Sequence, residues 1–174
     1  VAYPEIPFSA TVSEDFNDVT DSYVTKRLCD RISEQLSKNI ASLQDEYYIY
    51  TQAMLDDTLL TDPMISLEDY LKDSPGEEFT IHLFIEMKEN SLDEIANALI
   101  NLMNGVQNLN GSVCMYLVDS ESLQKTKEYI ESHTRLYQEF MDLTDKSYIG
   151  SVELNNSSFV LTADKLREMA GGHI

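Results

Sequence analysis

The sequence predicts an α+β fold, a two-layer sandwich in which long helices cover one face of a mixed sheet of four or five strands. Apolar residues recur at helical spacing in several stretches, and strand-like runs stand between those stretches. The clearest strand alternates between an apolar face and a mixed face, which is typical of a sheet covered on one side only. A three-layer α/β fold is the alternative.

Length and composition indicate a single folded domain. The chain has 174 residues, of which 43% are hydrophobic and 25% are charged, close to the averages of globular proteins. Residues 1–12 contain Pro4 and Pro7 and show no regular period, so we expect an extended N-terminal arm there. Residues 13–174 are predicted to form the α+β domain.

The first helix is predicted to begin near Asp21. Its apolar residues recur at every fourth position, at Val24, Leu28, Ile32, Leu36 and Ile40. Such a stripe is typical of a helix with one buried side. A helix has about 3.6 residues per turn, so the stripe winds slowly around it. This drift suits a helix that lies on a twisted sheet.

The segment after this helix is predicted to be a strand. Residues 46–55, EYYIYTQAML, begin with aromatic and β-branched side chains, which favour a strand, although a continued helix is the alternative. Asp62-Pro63 interrupts the loop that follows, because the residue before a proline is disfavoured in helical geometry. A short helix is then predicted at 66–73.

The clearest strand lies at 80–87. Ile81, Leu83, Ile85 and Met87 point to one side of it, and Thr80, His82, Phe84 and Glu86 point to the other. Further along the chain we expect a helix at 92–108, a strand at 113–118, a helix at 123–143, a hairpin around 155–157 and a last helix at 163–170. Because a helix connects them, the strands at 80–87 and 113–118 are expected to be parallel neighbours.

The dipeptide Ser-Leu stands at the predicted start of three helices. It occurs at Ser66-Leu67, Ser91-Leu92 and Ser122-Leu123. A serine hydroxyl can accept a hydrogen bond from an unpaired amide of the first helical turn, so we interpret each serine as an N-cap. Thr162 is predicted to cap the last helix in the same way. The left-handed position that ends the helix at 92–108 is predicted at Asn110 or Gly111.

The charge of the chain excludes several classes of partner. With 31 acidic and 12 basic residues, its formal net charge is −19 at pH 7. Nucleic acids and anionic membranes are bound through clustered lysines and arginines, which this sequence lacks. The chain also has no apolar run long enough to cross a bilayer.

The sequence predicts no catalytic residue, no cofactor and no metal site. It has no Gly-x-Ser-x-Gly motif and no glycine-rich phosphate loop. His82, His133 and His173 are scattered along the chain. Cys29 and Cys114 are not at zinc-ligand spacing and are expected to be buried thiols. The acidic residues between 56 and 73 lack the pattern of a calcium-binding loop.

The residues that we predict to bind a ligand are Tyr47, Tyr48, Tyr50 and His82, the histidine being on the mixed face of its strand. Aromatic residues are enriched at interfaces, although core packing of one or two of the tyrosines is the alternative. We therefore predict a non-catalytic domain that binds an unknown protein or small ligand. Because the chain begins at Val1 instead of methionine, we expect the exported, soluble part of a secreted or envelope-anchored protein, with a cytoplasmic protein as the alternative.

Two other functions stay open. The first is an acidic inhibitor that imitates nucleic acid and competes for a basic partner, since ten acids and only one base, Lys72, lie between Asp45 and Glu78. The second is a hydrolase or metal-dependent enzyme whose carboxylates are dispersed in the sequence and converge in the fold.

Overall fold

The structure is a computed structural model. The described residues are 10–14, 19–21, 23–41, 46–53, 64–73, 78–86, 92–105, 109–132, 148–154, 162, 164–165 and 168.

Ten helices and strands have described bounds. In chain order they are β1 (Ala10–Val12), β2 (Val19–Asp21), α1 (Tyr23–Asn39), β3 (Tyr47–Ala53), α2 (Leu67–Asp73), β4 (Glu78–Glu86), α3 (Leu92–Gly105), β5 (Asn110–Val118), α4 (Ser120–Ser132) and β6 (Tyr148–Glu153).

Four strands form the main sheet, in the order β3-β4-β5-β6. The central strands β4 and β5 are parallel, and the two outer pairs are antiparallel. The predicted α+β fold with a mixed four-stranded sheet is therefore confirmed, as is the parallel pairing of the two strands joined by α3. Strands β1 and β2 pair separately in a two-stranded antiparallel sheet, so the last three residues of the predicted arm form a strand.

The larger core lies between the sheet and helices α1 and α3; we call this side of the sheet the first face. The predicted stripe of α1 is buried there in full: Val24, Leu28, Ile32, Leu36 and Ile40. From the sheet, Ile49, Ile81, Leu83, Ile85, Val113 and Met115 pack against it, with Ile95 and Leu102 from α3. The two-residue period of a strand explains why alternate residues of β3, β4 and β5 meet the helices here.

The opposite side of the sheet, the second face, is covered in part by α4. Leu123 and Ile130 of α4 pack with Phe84 and Tyr116, which are fully or almost fully buried. The sequence predicted long helices on one face only, and the position of α4 differs from that expectation. Phe84 and Tyr116 have large apolar rings. Removing these rings from water stabilises the packing of α4 on the second face.

The helix starts agree with the capping interpretation at Ser66 and differ from it at Ser122. The hydroxyl of Ser66 accepts a hydrogen bond from the amide of Asp69 at 3.0 Å. At α4, however, the cap is Asp119, whose Oδ1 accepts from the amide of Ser122 at 2.7 Å. Ser122 thus lies inside the first turn instead of preceding it. Aspartate and serine are similarly favourable at the N-cap position. Asp119, three residues before Ser122, is the N-cap of α4.

Two other predicted caps have different outcomes. The Oγ1 of Thr162 accepts a hydrogen bond from the amide of Lys165 at 3.2 Å, as expected for an N-cap. Ser91 lies outside the described residues, as do the hairpin around 155–157 and the end of the helix predicted at 123–143.

Gly111 has the positive φ expected of it, but in a different setting. Its φ is +122°, and it lies in β5 beside Phe79 of β4, not at the end of a helix. A Cβ atom on Gly111 would lie 1.9 Å from the carbonyl oxygen of Phe79. Glycine is therefore required both by the backbone angle and by the close approach of the neighbouring strand.

None of the helices in the described parts of the chain is long and apolar enough to cross a membrane.

Candidate functional site

The candidate site is a group of rings on the second face, which we call the aromatic cluster: Tyr50, His82, Phe84, Tyr116 and Tyr148. Four neighbouring strands bring it together, because Tyr50 pairs with His82 across β3 and β4, Phe84 with Tyr116 across β4 and β5, and Tyr116 with Tyr148 across β5 and β6. Side chains at paired positions point to the same face of a sheet, so the register alone places these rings side by side.

The rings of the aromatic cluster are in contact with one another. The centroids of Phe84 and Tyr116 are 4.4 Å apart and their planes are inclined by 19°. The His82 centroid lies 5.8 Å from that of Tyr116 and 5.9 Å from that of Tyr50. Tyr148 extends the cluster toward β6, at 5.6 Å from Tyr116. These separations are in the range of favourable aromatic pairs.

A buried hydrogen bond joins two of the rings. The Nδ1 atom of His82 and the Oη atom of Tyr116 are 3.0 Å apart. His82 is only 5% exposed and Tyr116 only 3% exposed, so water contributes little to satisfying these polar atoms. The bond fixes the orientation of the imidazole within an otherwise apolar surface.

Burial keeps three side chains of the cluster, Tyr50, His82 and Tyr116, uncharged. Removal from water lowers the pKa of His82 to about 4, so its imidazole is neutral at pH 7. The same cause raises the pKa of Tyr50 to about 12 and raises the pKa of Tyr116 further. These three side chains are therefore neutral at physiological pH.

Cys114 lies beside His82 in the register of β4 and β5. Burial raises the pKa of this thiol, and a hydrogen bond with Ser112 opposes the rise only in part. A nucleophilic cysteine needs the opposite shift, toward the thiolate, so this pair lacks the character of a cysteine–histidine catalytic pair.

The two cysteines are free and belong to different cores. Cys29 belongs to the core of the first face, whereas Cys114 packs against the cluster on the second. The body of the sheet separates them. Burial raises the pKa of Cys29 to about 12, in agreement with the predicted buried thiol. Cys114 is half-buried.

One end of the second face carries half-buried polar side chains. Gln52, Thr80 and Ser112 form a row there on three adjacent strands, and each is half-buried. Tyr148 is 41% exposed at the other margin of the cluster. An incoming molecule can therefore reach an aromatic ring and a row of hydroxyl and amide groups.

A lysine lies at the β3 margin of the cluster. The Nζ atom of Lys26, from α1, is 5.4 Å from the centroid of the Tyr50 ring. The same atom forms a salt bridge with Asp30 at 2.5 Å. Its charge is thus already compensated, which leaves it little capacity to bind a further anion.

The structure brings together three of the four residues that the sequence predicted to bind. Tyr50 and His82 belong to the aromatic cluster, and Tyr48 is half-buried beside it on the second face. Tyr47 points to the first face, where its hydroxyl donates to the carbonyl oxygen of Ser37 at 3.1 Å. Successive residues of a strand alternate between faces, so Tyr47 and Tyr48 could not share one surface.

Sequence reasoning missed Tyr116 and Tyr148 as members of the cluster. Alternation within 113–118 could have placed Tyr116 on the same face as Cys114, but the pairing with β4 was needed to place it beside His82. Nothing in the sequence around Tyr148 indicates its partner. The contact depends on the pairing of β5 with β6.

No group of three potential metal ligands converges among the residues that the structure describes. Much of the acidic stretch between Asp45 and Glu78, including Asp56, Asp57 and Asp62, lies outside them.

The chain matches no protein-family model and no curated protein. Among solved structures it is similar to a DUF5037 family protein from Ruminococcus gnavus ATCC 29149, with a TM-score of 0.69. The two sequences are 16% identical, and the match covers 97% of this chain and 81% of that chain. Such a low identity supports a shared architecture and says nothing about activity. The chain therefore has the fold of a DUF5037 family protein.

Proposed function

We propose that the protein is a non-catalytic binding domain and that the partly exposed surface of the second face binds a neutral, planar small ligand. The observation that carries this proposal is a set of stacked aromatic rings whose buried titratable groups are uncharged at pH 7. Burial keeps His82, Cys114 and Tyr116 each in its neutral form. A nucleophilic thiolate or an imidazolium acid would need the charged form, which burial disfavours at Cys114 and His82.

The chemistry of this partly exposed surface supports a ligand of this class. The exposed ring of Tyr148 offers a stacking surface continuous with Tyr116. Thr80 and Ser112 offer hydroxyl groups about 13 Å along the sheet from the Tyr116–Tyr148 pair, where they can orient the polar end of an elongated ligand. Binding sites for small molecules commonly combine apolar rings with a few placed polar groups.

Titration of the ¹⁵N-labelled protein with indole, naphthol and coumarin tests the proposal by NMR. We expect the amide signals of Thr80, Ser112 and Cys114 to shift in a saturable manner. Tyr148→Ala should weaken binding roughly three- to tenfold, because an aromatic pair contributes about 0.5–1.5 kcal/mol beyond its buried area.

Ile100→Ala is the matched control, since Ile100 is 40% exposed, similar to Tyr148, but lies on α3. It should leave the affinity unchanged. Equal losses in both variants, or shifts confined to α1 and α3, would contradict the proposed surface. Turnover of chromogenic ester, phosphate or glycoside substrates that is lost in His82→Gln or Cys114→Ser would contradict the absence of catalysis.

Export from the cytoplasm stays a prediction of the sequence. Fractionation of the source cells, with detection of the native protein by antibody, tests it directly.

A further inference from the structure

Arg27 of α1 is the one residue with a permanent charge that is buried among the described residues; it is 8% exposed. Arginine cannot shed its charge at physiological pH, so burial of its side chain requires compensation by an acidic group, a set of hydrogen-bond acceptors or a ligand. The position of this residue therefore raises the question of what balances its charge.

The guanidinium of Arg27 forms no salt bridge or hydrogen bond with any residue that the structure describes. Other cations of the same parts of the chain do find carboxylates. Lys26 pairs with Asp30 and Lys165 with Glu168, at 2.5 and 3.0 Å. In a chain with a net charge of −19, acids are abundant, and yet none of the described ones reaches this guanidinium.

A second arginine lies on the same side of α1. Arg31 follows Arg27 by four residues, which places the two side chains about 5–6 Å apart at their Cβ atoms. The Nη1 atom of Arg31 donates to the carbonyl oxygen of Ile65 at 3.1 Å, so this side of the helix faces the start of α2. The opposite side of α1 faces β3, where Ser33 and Thr51 share a hydrogen bond at 2.9 Å.

The head of Arg27 is reachable from solvent. Its guanidinium nitrogens are not among the sealed and unpaired side-chain atoms of the described residues. The hydrocarbon stem is thus covered while part of the planar head faces water. Because so little of the side chain is exposed, a small anion from the solvent fits this position better than a broad macromolecular surface does.

We propose that Arg27, assisted by Arg31, binds a small oxyanion, a carboxylate or a phosphate group. A guanidinium presents its donors in a planar fork that matches two oxygens of such a group, and partial burial strengthens each charge-assisted hydrogen bond. This site is separate from the aromatic cluster and does not depend on the proposed function.

Thermal unfolding with inorganic phosphate or succinate, at constant ionic strength set with sodium chloride, tests the site and distinguishes its two ligand chemistries. We expect one of the anions to raise Tm in a saturable manner. Arg27→Met should weaken the apparent affinity about tenfold or more, because it removes hydrogen bonds to a charged group. The apparent affinity of Arg27→Lys for the anion should lie between those of the wild type and Arg27→Met. A lysine keeps the positive charge but lacks the planar pair of donors that a guanidinium presents.

Lys38→Met is the matched control, because it removes the same charge from an exposed position of the same helix. It should bind as the wild type does. Without anion, Arg27→Met should be at least as stable as the wild type, since it keeps an apolar stem and removes a largely buried charge with no described partner, and this verifies that the variant folds. The proposal is overturned if neither anion produces a saturable rise, or if Arg27→Met and Lys38→Met respond alike.

Discussion

His82 is a buried side chain whose protonation state affects the stability of the whole second face. Its imidazole lies among Tyr50, Phe84 and Tyr116, and its Nδ1 atom shares a hydrogen bond with the Tyr116 hydroxyl. Protonation would place a positive charge among rings, where water cannot solvate it. The residue therefore links the packing of the second face to pH.

We predict that acid destabilises the protein through His82. Its pKa is 6.5 in the unfolded chain and about 4 in the folded one, so between these values the unfolded state binds more protons. The free energy of unfolding must then fall as the pH falls through this window. The total loss is roughly 3 kcal/mol, at about 1.36 kcal/mol per pH unit. Above pH 6.5 this contribution is fully present.

Urea denaturation at several pH values between 7 and 4 measures this effect. Carboxylates also titrate at the acidic end, so the comparison is with His82→Gln, which cannot be protonated there. The variant should show a shallower decline of stability with falling pH. Parallel declines in the two proteins would show that His82 does not couple to folding.

Gly111 is the second position at which a single residue constrains the sheet. Gly111→Ala would place a Cβ atom 1.9 Å from the Phe79 carbonyl oxygen, at a φ of +122°. We expect it to lower the free energy of unfolding by about 2 kcal/mol or more, through backbone strain and a displaced β4–β5 pair. Chemical denaturation measures the loss, with Ser112→Ala as a neighbouring control that should change stability by only about 0.5 kcal/mol.

At the scale of elements, α1 and β4 show what periodicity does and does not reveal. The stripe of α1 is buried as its spacing predicts. The alternation of β4 also predicts its two faces correctly, but Phe84 and His82 on the mixed face are buried too. Aromatic side chains can pack against a helix even when they carry polar atoms. The mixture of polar and apolar residues on one face of β4 was therefore not sufficient evidence that this face is exposed to solvent.

The start of α4 yields a prediction about which residue caps it. Asp119 accepts a hydrogen bond from the amide of Ser122, and this bond is the main cause of its lowered pKa. Asp119→Ala should therefore lower Tm, whereas Ser122→Ala should have a smaller effect. If Ser122→Ala lowered Tm more than Asp119→Ala does, the N-cap would be Ser122 and the assignment to Asp119 would be wrong.

The pH dependence of this cap has a definite sign. Because the folded pKa of Asp119 lies below its ordinary value of 3.8, its contribution is present above that value and is lost as the pH falls below it. The difference in Tm between the wild type and Asp119→Ala should shrink in the same range.

At the scale of the whole molecule, two cores hold the sheet between helices. α1 and α3 cover the first face, and α4 covers part of the second, so the central strands β4 and β5 are buried on both sides over much of their length. The surface around this centre carries a large excess of negative charge, with a formal net charge of −19.

We predict that salt stabilises the folded protein. Acids on a compact chain repel one another, and raising the salt from about 0.01 M to about 0.15 M shortens the Debye length from about 30 Å to about 8 Å. Tm should rise over this range in sodium chloride. The double variant Glu34→Gln with Glu153→Gln, both exposed positions, should show a smaller rise. A Tm that is constant or falls with salt would contradict net repulsion.

The sequence by itself determined the type and order of the main elements, the buried stripe of α1 and the parallel neighbours joined by α3. These follow from local periodicity, from capping chemistry and from the short connections of a strand–helix–strand unit. It also indicated Tyr50 and His82 as side chains of a possible binding surface.

Only the tertiary structure decided that α4 covers the second face, that Tyr116 and Tyr148 lie beside His82, and that Arg27 is buried without a described partner. Each of these depends on which strands pair, in which register, and on which side a helix returns. Residues far apart in the chain create these contacts, and no local pattern of residues encodes them.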